Sequence, residues 1–485
     1  MSKYGIEHIV VLMLENRSFD HLFGFLDHPQ PFDGLTGNEW NPVSDTDSTK
    51  VNVTKGAKPY IYPDPSHEHT DVLKQMSFVG QPKFSNRGFY HNYAQKINCT
   101  RKKFWQKAKP KSQPEEILAC WDPTDPHIKN LTYLAKKYVL CDNWHCSVPG
   151  ETWPNRNYIH AATSGSQVNI KFKFYTNKTI YESLNENNLK WKIYHDGIAQ
   201  SMAFIKLQDT SGGAFEDYKE FKKDVQKGAL SHYTFIEPRH FKLLHGYSNS
   251  MHPGNNSTDA STDLKAADNL VGEVYNTLIS NPTLWQKTLL VITFDEHGGF
   301  YDHKKTMSAY NPGKEIDEEH KFRFNFLGVR VPTILISPKF EEGKIDSTPY
   351  DHTSVIKSVF ENFAIPGQLT NRDKNANSFW GNIKTTRSRS KAAEPVVLHR
   401  LKKSTDVDNM EELNGFQQDL IYLAESIEKA SKVVMRSSAS LDAKVATPTF
   451  DNRWKETEAK KNKVIDNDRL MALSRVAKVV YGKKK

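Results

Sequence analysis

Short apolar runs recur along the chain: Ile9-Val10-Val11-Leu12-Met13-Leu14, Tyr138-Val139-Leu140, Tyr233-Thr234-Phe235-Ile236, Leu289 to Phe294 and Val331 to Ile336. Unalternated runs of this length predict strands covered on both faces, the pattern of a mostly parallel sheet sandwiched by helices. Apolar residues at helical spacing predict helices over Asp268 to Ile279, Tyr350 to Phe363 and Gly415 to Ala430. Strands alternating with helices define an α/β fold. The texture changes near residue 370, where TNRDKNANSFWGNIKTTRSRSKAAEP is polar and strand-poor and Glu411 to Val434 is amphipathic. The expected organisation is one domain over 1–370 and a mainly helical extension with loops over 371–485.

In open α/β sheets, ligands sit beyond the carboxyl ends of the strands. Those positions hold Glu15-Asn16, Asp295-Glu296 and Glu237-Pro238-Arg239-His240. Asn16 has an ordinary explanation as the cap of a helix from Arg17 to Phe25. However, carboxylates gathered at one sheet edge repel one another unless a cation sits among them. Oxygen donors of this kind suit Mg²⁺, Ca²⁺ or Mn²⁺, and tolerate Zn²⁺. A third signal is CSVPGETWPNRNYIHAATSG, which predicts a turn at Pro149-Gly150, Thr152 at a helix start, Pro154 in the first turn and closure near Gly165. Thr152 can be a simple N-cap, but the same place offers an anion free N–H groups and the positive end of a helix dipole. A hydroxyl there beside a metal is a usable nucleophile toward phosphorus, with Asn155 and Arg156 as donors to phosphoryl oxygens.

Composition narrows the partners. A formal charge of +9 over 485 residues favours anions, although the runs Arg101-Lys102-Lys103, Lys460-Lys461 and Lys483-Lys484-Lys485 read as solvated charge. No apolar run approaches the roughly 20 residues of a membrane-spanning helix. Ile9 to Leu14 is too short for a signal-peptide core, so the expected location is cytoplasmic or peripheral to a membrane, and secreted if a leader has been removed. Asn-x-Ser/Thr sites at Asn52, Asn98, Asn130, Asn177 and Asn256 suit secretion. The four cysteines are too few for a disulfide scaffold and leave room for one or two bridges.

Four segments, ENRSFDH from Glu15, TWPNR from Thr152, DEHGGFYDH from Asp295 and GVRVP from Gly328, complete the picture. In order, they resemble the signature motifs of the phosphoesterase family of plant non-specific phospholipases C, bacterial phosphatidylcholine-hydrolysing phospholipases C and a group of acid phosphatases. The resemblance implies an alkaline-phosphatase-like α/β/α sandwich and one divalent metal ion held by Glu15, Asn16, Asp295 and Glu296. It makes Thr152 the nucleophile, where the acid phosphatases carry serine. His67, His195 and His252 are the expected phosphate-side histidines, with His240 and His303 competing for those roles. Arg330 is expected to fix loops by salt bridges, and Asp302 and His303 to shape the metal loop. The implied activity is phospholipase C, cleaving the glycerol-side phosphodiester to diacylglycerol and a phosphorylated head group through a phosphothreonine, with His252 protonating the leaving alkoxide. The alternative enzyme is an acid phosphatase for soluble phosphomonoesters; intact ligands and nucleophile speak against a lipid-binding protein without catalysis. The expected partner is a phospholipid or phosphate ester, not nucleic acid, with peripheral membrane contact aided by Phe84, Phe89, Tyr90, Phe104 and Trp105.

Overall fold

Unalternated apolar runs become the buried centre of the protein. The computed structural model describes residues 2–77, 83–100, 110–208, 213–242, 247–253, 260–383, 392–401, 410–438 and 464–466. Its main sheet consists of His8–Leu14 (β1), Val139–Cys141 (β2), Trp191–His195 (β3), Gly213–Asp217 (β4), Tyr233–Glu237 (β5), Thr288–Phe294 (β6), Thr333–Ile336 (β7) and Ile345–Asp346 (β8). The spatial order is β8-β2-β7-β6-β1-β5-β3-β4. All neighbours are parallel except β7, which runs antiparallel to β6 and β2. No helix spans 295–332 to carry the chain back across the sheet, so β7 returns in the opposite sense.

Every residue of β5, β6 and β7 is buried, as strands covered on both faces require. The covering helices include Lys129–Lys137 (α3), packed on Ala260–Ile279 (α5), and Thr152–Ala161 (α4), packed on Thr353–Phe363 (α6). Phe19–Phe23 (α1) follows the carboxyl end of β1, and Phe89–Cys99 (α2) joins a smaller apolar cluster with Phe300 and Tyr301 of the loop after β6. Ser18, rather than Asn16, caps α1, its hydroxyl accepting from the His21 N–H at 3.1 Å. Helix α4 closes at Ala162 in the left-handed region (φ 56°), earlier than the expected Gly165.

The texture change near residue 370 does not coincide with a break in packing. Arg372 is buried, and its guanidinium donates to Ser147 O (2.9 Å), Phe324 O (2.9 Å) and Asp351 (3.2 Å). Trp380 stacks on Tyr4 with ring centroids 4.6 Å apart. The helix Gly415–Ser438 (α7) sends Phe416, Leu420, Leu423 and Ile427 into the same core as the sheet. The four cysteines are free, and Asn130 is buried, so it is no glycan acceptor. Among the described residues, no helix is long and apolar enough to cross a membrane. The lysine and arginine runs, Phe104, Trp105 and Asn256 lie outside the described residues. Phe89 and Tyr90 are core residues.

Candidate active site

Register brings the first two motifs together. Leu14 pairs with Phe294, so Glu15 and Asp295 leave adjacent parallel strands side by side. The Asn16 N–H donates to Asp295 Oδ1 at 3.1 Å, and Asn16 itself is left-handed (φ 60°), a region where asparagine is one of the few tolerated residues and where strain collects at functional sites. The third motif arrives from α4, where Thr152 Oγ1 donates to Asn16 Oδ1 at 3.3 Å. Thr152 is the first residue of that helix and no side chain caps it, which leaves its N-terminal amides facing outward. Glu296 turns back on the loop, its Oε2 accepting from the Gly298 N–H at 2.7 Å. Gly298 is obligatory there: at φ 64° a Cβ would lie 2.4 Å from Asn16 O. Glu15, Asn16, Thr152, Asp295 and Glu296 are all buried, none more than 1% exposed.

The counter-charge comes from a residue expected to touch substrate. Arg156 is fully buried, and its guanidinium donates to Asp295 Oδ2 (3.1 Å), both oxygens of Glu237 (3.1 and 3.0 Å) and Met13 O (3.2 Å), with Glu15 at 4.0 Å. It therefore braces the carboxylates from behind. Asn155 is likewise not available to phosphoryl oxygens. Its amide donates to Val148 O, Gly150 O and Glu151 O at 3.0–3.1 Å and accepts from the Val148 N–H at 3.0 Å, which folds the turn ahead of α4. His240 bridges Glu15 (3.2 Å) and Glu237 (2.9 Å).

This network is short of positive charge. Burial opposes ionisation of Glu15, but His240, by charge and hydrogen bond, and then Arg156 hold it at about 2. Burial pushes Asp295 up to about 7, with Arg156 pulling it down and Glu15 adding repulsion. Glu296 is raised well above the usual carboxylate range, by burial and then by Asp295. Glu296 Oε1 is buried with no hydrogen-bond partner, and Glu15 Oε1 has only the His240 ring at 3.2 Å. Leaving a charged group in that condition is costly, about 1–3 kcal/mol or more, and a hard divalent cation is the natural remedy for an all-oxygen set. The donor chemistry of Glu15, Asn16, Asp295 and Glu296 thus fits a metal, although the three carboxylates are not drawn together as tightly as two other groups. Among the described residues, Asp64–His67–His252 and Asp20–Asp302–His303 each present ligand atoms lying within 4.8 Å of one another.

The first of these groups adjoins the site. The Glu15 N–H donates to Ser250 O (2.8 Å) and Arg17 Nε to Met251 O (3.0 Å), which fixes His252 against the end of β1. His252 Nε2 lies 3.9 Å from Asp64 Oδ2. His67 is held down to about 4 by burial, against the pull of Asp64. Gln75 ties its segment to the metal loop, donating to Ser66 O (2.6 Å) and meeting His297 Nε2 at 2.8 Å. His195 stands apart at the end of β3, two strands from β1, with its Nδ1 against Gly197 O at 2.8 Å. The second group is an ion-pair network: Arg330 donates to Asp20 Oδ1 (2.8 Å) and Asp302 (3.2 Å), and His303 bridges Asp20 (2.6 Å) and Asp33 (3.0 Å). Glu237 was marked by its place at the end of an apolar run, whereas Arg17 and Asp64 were not singled out by spacing.

Acidic strand ends beside a hydroxyl at a helix start suit chemistry on phosphate esters, and the chain is a hydrolase of that class. The chain belongs to the phosphoesterase family, whose model matches residues 6–366. It is 33% identical over 454 residues to non-specific phospholipase C3 of Arabidopsis thaliana (86% of this chain, 82% of that protein) and 33% identical over 486 residues to non-specific phospholipase C5 of the same plant (94% and 90%). Phospholipase C B of Mycobacterium tuberculosis is 27% identical over 417 residues, 74% of each chain. A solved protein of the alkaline phosphatase superfamily from Vibrio parahaemolyticus overlaps 52% of this chain and 64% of its own at 12% identity and a TM-score of 0.32; the sandwich described above rests on the sheet itself.

Proposed function

We propose that the protein is a phospholipase C that cleaves the glycerol-side phosphodiester of phospholipids with Thr152 as nucleophile. The observation that carries this reading is the Thr152 hydroxyl hydrogen-bonded to Asn16 at 3.3 Å, among buried carboxylates and at an uncapped helix start. The names of the plant and mycobacterial relatives support the lipid substrate.

Glu15, Asn16, Asp295 and Glu296 would hold one divalent ion, which would lower the acidity barrier of the threonine hydroxyl and offset charge on the phosphoryl group. Thr152 Oγ1 gives its proton to water and attacks phosphorus in line as the bond to the glycerol oxygen breaks, giving a phosphothreonine, and takes a proton back from water when that ester is hydrolysed. His252, beside Met251 whose carbonyl accepts from Arg17 and 3.9 Å from Asp64, would give its proton to the departing alkoxide and then take one from the water that hydrolyses the phosphothreonine. The first amides of α4 stabilise the phosphoryl oxygens.

Thr152→Ala should lose roughly 10³-fold or more in kcat while binding metal as before. The measurement is release of phosphocholine from phosphatidylcholine, run beside release of phosphate from small monoesters, with and without chelator. Wild-type turnover in the variant removes Thr152 from the mechanism. Activity confined to monoesters transfers the protein to the acid phosphatases.

A further inference from the structure

Beyond the metal loop lies a separate cavity of about 430 Å³, lined by Trp40, Ser85, Arg87 and Lys305 together with Glu39 and His303. It shares no lining residue with the carboxylate cluster. Its most telling group is Arg87. The guanidinium lies over the Trp40 ring at 3.7 Å, and its Nη1 is buried without a hydrogen-bond partner. Ser85 Oγ, on the same wall, is also buried and unpartnered. An arginine stacked on an aromatic ring is a pre-organised fork for a phosphate or carboxylate, and an unfilled buried donor of this type is costly to maintain without a ligand.

The backbone that presents these two donors is built and anchored. Phe84 (φ 57°) and Asn86 (φ 54°) both sit in the left-handed region, a conformation that persists only where surroundings impose it. The imposing contacts are visible: the Asn86 side-chain amide donates to Asp302 O (2.9 Å) and Lys304 O (2.8 Å), and Asn41 donates to Asn86 O at 3.3 Å. The other charges around the cavity do not satisfy Arg87. Glu39 spends its carboxylate on the Thr36 and Gly37 amides and the Thr36 hydroxyl (2.7–3.0 Å), and His303 is neutralised by Asp20 and Asp33. With Glu39 counted as negative, Arg87 and the exposed Lys305 leave a net charge of +1 beside the Ser85 hydroxyl.

We propose that this cavity is a second oxyanion site, which takes the phosphate monoester group of a ligand through Arg87, Ser85 and Lys305. That chemistry is offered by a soluble phosphorylated molecule and by the head group of an anionic lipid. The site is independent of the chemistry assigned to Thr152.

The test uses the full chain labelled with 5-fluorotryptophan, the Trp40 resonance being assigned by its loss in Trp40→Phe. Titration with glycerol 3-phosphate, and in a second arm with short-chain phosphatidate, should shift that resonance saturably in the wild type and equally in Thr152→Ala. Arg87→Gln should weaken the response about tenfold or more, and Ser85→Ala by a smaller factor, each with an unchanged melting temperature. A response to the soluble ester or to the lipid supports the site and names its source. No shift of Trp40 in either arm, or the same affinity in Arg87→Gln and Ser85→Ala as in the wild type, overturns it.

Discussion

Replacing Arg330 by methionine should destabilise the fold more than any surface change. The guanidinium is fully buried, donates to Asp302 (3.2 Å), Asp20 (2.8 Å), Asp33 O (2.8 Å) and Asp142 O (2.7 Å), and lies over Phe19 at 4.1 Å. Methionine can keep part of the packing on Phe19 but abandons Asp20 and Asp302 with only His303 to balance them. Breaking a buried ion pair from one side costs about 3–5 kcal/mol, against a total stability of about 5–15 kcal/mol for a typical fold. Asp302 also terminates the loop that begins at Asp295, so a loosened Asp302 should lower divalent-ion affinity about 10–100-fold. Arg330→Lys keeps the charge without the fork and should fall between the two. Adding Asp302→Asn to the methionine variant should restore about 1–2 kcal/mol, since the stranded charge is removed. Guanidinium unfolding followed by near- and far-ultraviolet circular dichroism, with coincident transitions as the check on two-state behaviour, gives each value. A loss under about 1 kcal/mol in Arg330→Met, or no recovery in the double variant, refutes the reasoning.

His303 is raised to about 10 because Asp20 and Asp33 outweigh the burial that opposes its charge. Its stabilising contribution is therefore complete below its unfolded value near 6.5 and is lost as pH rises through about 10. Unfolding midpoints of wild type should decline across that alkaline window, and His303→Asn should flatten the decline; parallel curves count against it. Gly298→Ala drives a Cβ to 2.4 Å from Asn16 O, and a displacement near 1 Å at that point should cut kcat by about 10²-fold, so near-normal turnover would show the loop to be pliable. Phe416→Ala opens a cavity worth about 3–5 kcal/mol and frees His240, whose ring is 4.8 Å away, and Arg156 at 5.6 Å. Steady-state kinetics should show kcat falling with KM nearly unchanged; a purely KM effect would place Phe416 at the substrate instead.

Much of this architecture was legible because one physical signal, an unbroken apolar run, marks a strand buried on both faces. It found β1, β2, β5, β6 and β7 and pointed to the acidic residues at the ends of β1, β5 and β6. It could not show that β7 runs antiparallel, since a buried strand reads the same in either direction. It also passed over β3 and β4, where Lys192 and Glu216 interrupt the pattern toward the sheet edge. Glu15, Asn16, Asp295 and Thr152, which the structure brings together, were marked by position after a strand or before a helix. Asn155 and Arg156, expected as donors to phosphoryl oxygens, have partners within the fold that sequence spacing does not show, because spacing tells which groups are near the hydroxyl and not which way a side chain turns. Arg156 is committed by Glu237, and that partnership depends on β5 lying beside β1. Asp64 reaches His252 through tertiary packing nearly 190 positions away, for which no local pattern exists.

The contact between Phe416 and the brace of Arg156 and His240 has a bearing on synthesis as well as on chemistry. Glu15 is synthesised before Asp295, and Asp295 before the aromatic wedge of α7. A growing chain therefore carries Thr152 and the acidic strand ends before Phe416 is available to pack behind Arg156 and His240, so the brace of the carboxylate cluster is completed only after the cluster's own residues exist.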